Sequence, residues 1–253
     1  MNLKNKVAIV TGGASGLGRA TVEKFVGSGA RVAIFDRDEE AGAELASSLG
    51  EAALFCAVDV ANDDSVAAGI DAVMERFGAI HVCVNCAGRG GGATKTMARK
   101  GRFPMELFRD VININLIGTF SVLSQAVEKM AENEPDENGE RGVVVNTASI
   151  AAFEGQKGQV AYAASKGGLV SITLPIARDL AYYGIRIATI APGLFDTPIL
   201  KGLSDEVKEG LARDIPNPSR LGDVREFAAL AQHIVNNPYI NGETIRLDAG
   251  LRM

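Results

Sequence analysis

Residues 6–18 read KVAIVTGGASGLG, an apolar run that leads into a glycine-rich turn. The run from Lys6 to Thr11 is apolar without alternation, which is typical of a strand buried on both faces. The turn extends from Thr11 to Gly18, and a segment of helical period begins at its end. Glycines in such a turn let main-chain N–H groups approach a diphosphate at the positive end of a helix. The stretch predicts a nucleotide-binding βα unit, with an ordinary structural turn as the alternative.

The rest of the chain repeats the alternation of strand and helix that this first unit begins. Helical periods separate the apolar runs, and such alternation produces right-handed βαβ units. We therefore expect an α/β fold with a doubly wound, Rossmann-type parallel sheet of about seven strands. A length of 253 residues suits a single domain over residues 1–253. The six further runs of strand length are Arg31 to Asp36, Ala52 to Asp59, Ile80 to Asn85, Gly142 to Ser149, Ile185 to Ala191 and Glu243 to Leu247.

The composition limits the partners that the protein can bind. Lys and Arg total 26 against 31 Asp and Glu, which gives a net charge of -5 and a pI near 5.2. This balance argues against a general surface for nucleic acid or other polyanions. No apolar stretch approaches the ~18 to 20 residues of a membrane span, and the first residues resemble neither a signal peptide nor a transit segment. We expect a cytoplasmic protein without a membrane partner, and free thiols at its three cysteines.

A carboxylate at the end of the second predicted strand bears on the choice of cofactor. Asp36 lies 18 positions beyond Gly18, near the ~20 at which an acidic residue accepts hydrogen bonds from adenosine ribose hydroxyls. The same carboxylate would repel a 2′-phosphate, so the sequence favours NAD over NADP. Two alternatives stay open: Asp36 caps the following helix, or Arg37 accepts a phosphate. Asp59 and Val60, at the end of the third strand, fit a contact with the adenine edge.

Three polar residues in the second half of the chain can carry out chemistry together. Tyr162 and Lys166 are four positions apart in a helical segment, so their side chains project from one face about one turn apart. Ser149 ends the fifth strand, and the loop after it can bring its hydroxyl beside the tyrosine. A phenol titrates near ~10 in water, but a nearby ammonium and a positive nicotinamide ring should lower the pKa of Tyr162. Such a tyrosine can exchange a proton with an alcohol or carbonyl as a hydride moves.

The order of these motifs resembles that of the short-chain dehydrogenase/reductase family over nearly the whole chain. The resemblance implies that Tyr162 is the catalytic acid/base, that Lys166 holds the nicotinamide ribose and that Ser149 orients the substrate oxygen. It also implies that Asn115 holds a water in a proton relay. Cys86 is a departure, since many members have a second asparagine there, but we expect the backbone wall at this position to keep its role. The matching residues are Thr11 to Gly18, Asn85 to Gly88, Asn115, Ser149, Tyr162, Lys166, Pro192, Gly193 and Thr197.

Longer strings, among them residues 146–156, 191–195 and 218–222, resemble one branch of this family, the type II 3-hydroxyacyl-CoA dehydrogenases or type 10 17β-hydroxysteroid dehydrogenases. The resemblance implies reversible oxidation of a 3-hydroxyacyl-CoA to the 3-ketoacyl-CoA with reduction of NAD, and a homotetramer. Ser149 and Tyr162 would meet the substrate. The expected cofactor contacts are Gly12, Ser15, Gly16, Leu17, Gly18, Asp36, Asp59, Val60, Cys86, Ala87, Gly88, Tyr162, Lys166, Pro192, Gly193, Phe195 and Thr197.

Because there is no room for a second domain, the substrate site has to be assembled from loops. The available segments are residues 89–104, 150–160 and 193–213. Four cations, Lys95, Arg99, Lys100 and Arg102, crowd the first of them on a chain that is acidic overall. We expect this basic cluster to attract the phosphates of coenzyme A, with a solvated loop as the alternative.

Parts of the sequence are also compatible with a metal site or with other functions. Cys83 and Cys86 have the spacing of a metal or redox motif, but zinc needs four ligands and strand alternation sends the two thiols to opposite faces, so we expect no metal. A hydroxysteroid or other secondary-alcohol dehydrogenase would use the same catalytic groups. A reductase of 3-ketoacyl carrier-protein substrates usually prefers NADPH, which Asp36 disfavours. A catalytically idle NAD-binding scaffold should show damage to the catalytic residues, and all three are present.

Overall fold

One parallel sheet forms the centre of the protein. The computed structural model describes residues 1–99, 101–197 and 205–253. A separate short hairpin pairs β5 (Met97–Ala98) with β6 (Gly101–Arg102) in antiparallel register. The sheet strands are β1 (Val7–Thr11), β2 (Arg31–Asp36), β3 (Ala53–Ala57), β4 (Val82–Asn85), β7 (Gly142–Thr147), β8 (Ile185–Pro192) and β9 (Thr244–Leu247).

The order of strands confirms the predicted doubly wound fold. Neighbours follow the sequence β3-β2-β1-β4-β7-β8-β9, and every pair in the sheet is parallel. The direction of winding reverses between β1 and β4, and in open α/β sheets ligands bind in the crevice beyond the carboxyl ends of the strands at such a point. The glycine-rich turn after β1 and the Asn85 to Gly88 segment at the end of β4 therefore lie side by side.

Helices cover both faces of the sheet. Leu45, Phe25 and Phe227 pack on one face with the β1 and β4 side chains Val10 and Val84. Val66, Val122 and Ile176 belong to a second apolar core with Ile9 and Val144. The helices are α1 (Gly16–Gly27), α2 (Glu39–Leu49), α3 (Asp63–Phe77), α4 (Met105–Ile112), α5 (Thr119–Met130), α6 (Ala151–Glu154), α7 (Val160–Leu180), α8 (Asp205–Arg213) and α9 (Val224–Asn236).

Three helices begin at polar caps. Asp38 accepts a hydrogen bond from the N–H of Ala41 and starts α2. Asn62 accepts from the second and third amides of α3, and Asp223 forms a reciprocal capping box with Glu226 at the start of α9. Because such caps satisfy amides that have no partner inside the helix, they fix where the chain turns away from the preceding strand.

Several local features differ from the sequence expectations. β3 and β7 end at Ala57 and Thr147, two residues earlier than predicted, because the chain already turns there. The carbonyl of Asp59 accepts from Asn62 and that of Ser149 accepts from Ala152. The β5–β6 hairpin and a π-helical turn over Asn113–Gly118, which joins α4 to α5, were not expected.

Two helical stretches among the described residues are long and apolar enough to cross a membrane by length and composition. They are Met105–Met130 and Val160–Tyr183, each with a mean hydropathy of 1.2. The sequence predicted no membrane span, and polar residues interrupt both of these stretches. In the fold each lies against the sheet, where Val122 of the first and Ile176 of the second contribute to the same apolar core. Packing against the sheet accounts for part of their apolar composition, while Ile117, Phe120, Val160 and Leu174 stay exposed.

His81 provides a test of how the sheet responds to acid. Its Nδ1 accepts a hydrogen bond from the Val7 amide at 3.2 Å, so the ring must be neutral there. Burial, assisted by Lys6 and Arg31, lowers the pKa of His81 from 6.5 to about 4. Because the folded pKa lies below the unfolded value, the contribution to stability is present above pH 6.5 and is lost as the pH falls toward 4.

The replacement His81→Gln keeps an acceptor but removes the titration. We predict that its thermal unfolding midpoint falls less between pH 6.5 and 4 than that of the wild type. The matched control is His233→Gln, on the exposed side of α9, which should keep the wild-type slope. Equal slopes in all three proteins would show that His81 does not contribute.

Candidate active site

The glycine-rich turn is closely packed against the end of β4. A Cβ at Gly12, which has a φ of +62°, would lie 2.9 Å from the Cα of Ala87, and one at Gly18 would lie 2.1 Å from the carbonyl oxygen of Gly12. A side chain at either position would therefore push the turn open. The hydroxyl of Thr11 accepts a hydrogen bond from the Ala87 amide at 3.0 Å. Thr11 thus joins the two walls of the crevice, a role that the glycine-rich motif alone does not indicate.

The start of α1 is open to an anion. Ser15 is its N-cap, but the serine side chain makes no capping hydrogen bond, unlike the caps of α2, α3 and α9. The first amides of a helix have no partner within it and carry the positive end of the helix dipole. The donor set therefore fits the diphosphate of a dinucleotide.

A cleft of about 270 Å³ extends from this turn along the carboxyl ends of the strands. It brings together most of the residues that the sequence assigned to the cofactor. Five assigned residues, Tyr162, Lys166, Pro192, Gly193 and Phe195, are not on this lining. The lining consists of Gly12, Ser15, Gly16, Leu17, Gly18, Phe35, Asp36, Arg37, Val58, Asp59, Val60, Cys86, Ala87, Gly88, Arg89, Ile114 and Thr197.

Asp36 is one of the residues that line this cleft. One carboxylate oxygen accepts from the Ala14 amide at 3.0 Å, and the other accepts from the Asp38 amide at 3.1 Å. The N-cap of α2 is Asp38, so the capping alternative does not apply to Asp36. Arg37 faces Asp59, with 3.9 Å between the guanidinium and the carboxylate. A fixed negative charge at this edge suits two ribose hydroxyls and disfavours a phosphate.

Ser149, Tyr162 and Lys166 meet beyond the end of β7. The Ser149 hydroxyl accepts from the Ala151 amide at 3.1 Å and also hydrogen-bonds the phenol of Tyr162. Lys166 projects from the next turn of α7, and its Nζ lies 5.8 Å from the centroid of the Tyr162 ring. A Cβ at Gly88 would lie 3.6 Å from the same Nζ, so the ammonium reaches the wall of the cofactor cleft.

The pKa of Tyr162 differs from the sequence expectation. Burial raises it above the usual value of a phenol, and the hydrogen bond from Ser149 offsets only part of that rise. The Nζ of Lys166 donates to the main-chain carbonyl of Thr147 at 2.7 Å, and burial of the phenol outweighs the effect of this more distant charge on its pKa. Burial in turn lowers the pKa of Lys166 to about 8. The phenol therefore holds its proton at neutral pH.

Asn115 holds the backbone around the site. Its side-chain oxygen accepts from the Arg89 amide at 2.8 Å, and its Nδ2 donates to the Arg89 carbonyl at 2.9 Å and to the Ser165 hydroxyl at 3.0 Å. The Ser165 hydroxyl donates in turn to the carbonyl of Tyr162. Both hydrogens of the side-chain amide are thus used, so a relay water at this residue would bind to the side-chain oxygen or to the main-chain carbonyl, which also accepts from the Thr119 hydroxyl.

Two further residues stand in unexpected surroundings. Phe195 is buried and packs against Gly222, so its ring is not turned to the cleft and only its main chain remains for a cofactor. The thiol of Cys86 accepts from the Thr147 hydroxyl at 3.5 Å, and burial raises its pKa to about 11. Thr147, which sequence analysis did not single out, thus contacts both Cys86 and Lys166. Because Lys166 is bound by the main-chain carbonyl of Thr147, the residue type at this position gives no sign of the contact in the sequence.

The two cysteines of the Cys-x-x-Cys spacing lie on opposite faces of the sheet. Cys83 belongs to one apolar core and Cys86 packs against the other, as strand alternation predicts. Within residues 1–99, 101–197 and 205–253, no group of three or more His, Cys, Asp or Glu could hold a metal ion.

Known proteins share both the sequence and this architecture. A family model for the short chain dehydrogenases matches residues 6–208. A 3-hydroxyacyl-CoA dehydrogenase type-2 from Bos taurus is 51% identical over 253 residues, which cover 100% of this chain and 97% of that protein.

Two solved structures extend the comparison. The crystal structure of 3-hydroxyacyl-CoA dehydrogenase type-2 from Mycobacterium avium has a TM-score of 0.95 and 43% identity, and the match covers 98% of this chain and 96% of the other. A 3-ketoacyl-(acyl-carrier-protein) reductase from Brucella melitensis, solved with NADH, has a TM-score of 0.87 and 28% identity over 99% and 100% of the two chains. The resemblance inferred from the motifs is thereby confirmed, and this chain belongs to the short-chain dehydrogenase family as an NAD-dependent oxidoreductase.

Proposed function

We propose that the protein interconverts 3-hydroxyacyl-CoA and 3-ketoacyl-CoA. The observation that carries the proposal is the meeting of Ser149, Tyr162 and Lys166 beside a cleft that has Asp36 at one end. The relatives named 3-hydroxyacyl-CoA dehydrogenase type-2, 51% identical in the bovine case, support the choice of substrate class. NAD binding by a catalytically idle scaffold would not require these three side chains to lie together.

Proton transfer follows from the state of Tyr162. In the direction of reduction, the carbonyl carbon receives a hydride while its oxygen receives the phenolic proton. Burial raises the pKa of Tyr162, so the phenol begins this step protonated. The hydroxyl of Ser149 accepts from the Ala151 amide, and its own proton, which it directs to the phenol of Tyr162, would turn to the substrate oxygen. In the direction of oxidation, the phenolate takes the proton from the alcohol.

The chain provides a contact for each part of the cofactor. NAD, when bound, supplies the nicotinamide ring that carries the hydride. The open amides of α1 would hold its diphosphate, Asp36 its adenosine ribose and Lys166 its nicotinamide ribose. Lys166 is largely protonated at neutral pH, since its pKa is about 8, and its charge would stabilise the phenolate that remains after proton donation.

The substrate would meet this site through the loops around it. Two of the proposed segments pack on each other, because a Cβ at Gly158 would lie 2.7 Å from the backbone of Ala93. In the first segment Lys95, Arg99 and Arg102 are exposed on and beside the β5–β6 hairpin, while Lys100 lies outside the described residues. This arrangement supports the proposal that the basic cluster attracts coenzyme A phosphates. Within the third segment, residues 198–204 also lie outside the described residues.

A homotetramer is part of the proposal. Large apolar side chains are exposed on the π-helical turn and on α5 and α7, namely Ile117, Phe120, Val160 and Leu174, and such a surface is typical of an interface between copies. Sedimentation velocity would reveal a monomer if these faces stayed uncovered. The cytoplasmic location stays a prediction.

The replacement Tyr162→Phe removes the proton donor without emptying the site. We predict that NADH binding, measured by fluorescence, persists while turnover of acetoacetyl-CoA falls about a thousandfold. The matched control, Tyr182→Phe, changes an exposed tyrosine in the turn that follows α7 and should keep full activity. Near-normal turnover of the Tyr162 variant would refute its role as acid/base.

Replacing Lys95, Arg99, Lys100 and Arg102 together by Ser tests the coenzyme A surface. We predict that KM for acetoacetyl-CoA rises about tenfold at low salt, whereas KM for an uncharged ketone stays unchanged, because only the former carries phosphates. The difference should shrink as ionic strength rises. Equal changes for the two substrates would mean that the cluster is only a solvated loop.

A further inference from the structure

A network of ion pairs links α6, which follows Ser149, to Asp248 and the Gly193 backbone beside it. Its centre is Arg246 in β9, whose guanidinium forks toward Glu154 and Asp248. It donates to the Glu154 carboxylate at 2.8 and 3.4 Å and to Asp248 at 2.7 Å. The face of the Phe153 ring lies 5.2 Å from the same guanidinium.

Glu154 belongs to the short helix that orients Ser149. Its helix, α6, has a single turn, and a helix of that length has no independent stability. The first amide of α6, that of Ala151, donates to the Ser149 hydroxyl at 3.1 Å. Any tilt of α6 would therefore move the donor that fixes this hydroxyl relative to Tyr162.

Asp248 packs against the Pro192–Gly193 segment at the end of β8. The Cβ of Asp248 occupies the space beside Gly193, where an added Cβ would come within 2.9 Å of it. The Gly193 amide donates to the Leu247 carbonyl at 2.9 Å, and the Ile150 amide donates to the Pro192 carbonyl at 3.0 Å. The Pro192–Gly193 segment is thus held between Asp248 and the residue that follows Ser149.

The network is sheltered enough for its geometry to matter. The side chains of Arg246, Glu154 and Asp248 are 23%, 24% and 8% exposed. Forked contacts of a guanidinium with carboxylates fix orientation as well as distance. Arg252 approaches the same two carboxylates at 3.5 and 3.2 Å but is 60% exposed, so it provides a matched comparison.

We propose that Arg246 is a positioning residue, which holds α6 against the Asp248–Gly193 wall and thereby sets the Ser149 hydroxyl for proton transfer. It touches neither the reacting groups nor the cleft lining, and it acts through Glu154 and the Ala151 amide. This inference rests on the proposed function, in which Ser149 and Tyr162 handle the substrate oxygen.

The test compares Arg246→Gln, Arg246→Lys and Arg252→Gln in the full-length protein. We expect Arg246→Gln to lower kcat on the order of tenfold to a hundredfold, with the affinity for NADH changed less than about threefold. Lysine keeps the charge but cannot fork, so Arg246→Lys should recover part of the loss. Arg252→Gln should keep kcat within about twofold, as expected for an exposed pair.

A second readout needs neither substrate nor cofactor. Ultraviolet titration, taken as the difference from a Tyr162→Phe protein of the same background, follows the phenol of Tyr162 alone. Since the Ser149 hydrogen bond lowers the pKa of this group, its titration should move to higher pH in Arg246→Gln and stay unchanged in Arg252→Gln. A purely structural role of Arg246 would lower the unfolding midpoint without moving this titration.

The outcomes are separable from those of the proposed function. If the wild type does not reduce acetoacetyl-CoA, the proposed function fails, and the phenol titration still decides the role of Arg246. If Arg246→Gln does not fold, Glu154→Gln, which keeps the size of the side chain, should give the same shift and the same loss of kcat. A folded variant with wild-type kcat and an unmoved titration would overturn the inference.

Discussion

The buried ammonium of Lys166 and the carbonyl of Thr147 form the contact on which the site depends. Their distance is 2.7 Å, and no carboxylate of the described residues pairs with this ammonium. Burying a charge in this way is costly, and it lowers the pKa of Lys166 to about 8. The contact forms only if α7 lies against the sheet in one register with the end of β7. That register also places Tyr162 beside Ser149.

A single sheet then has to serve both cofactor and substrate. The reversal of winding between β1 and β4 opens the cofactor crevice, and the Thr11–Ala87 hydrogen bond sets the distance between its walls. In the proposed function, the substrate is bound by loops that are tied to the sheet. Asn115 anchors one of them by both main-chain groups of Arg89. If these loops bind the substrate as proposed, its specificity depends on segments whose ends the core holds in place.

Much of this could be predicted from the sequence because it follows from local pattern. The sheet strands are apolar runs, and Asp38, Asn62 and Asp223 cap the helices expected after them. The rest depends on tertiary packing. The carbonyl of Thr147 has no side-chain signature, the π-helical turn at Asn115 follows no residue pattern, and the raised pKa of Tyr162 reflects burial that spacing alone does not reveal.

The most direct test follows NADH consumption by the wild-type protein with acetoacetyl-CoA, an uncharged ketone and a ketosteroid at matched concentrations. The account predicts the highest kcat/KM for acetoacetyl-CoA, with kcat in the range of about 1 to 1,000 per second that is usual for enzymes. NADPH should be a poorer donor, because the carboxylate of Asp36 would repel a 2′-phosphate bound in this cleft. Absence of acetoacetyl-CoA reduction, or a clear preference for the ketosteroid, would contradict it.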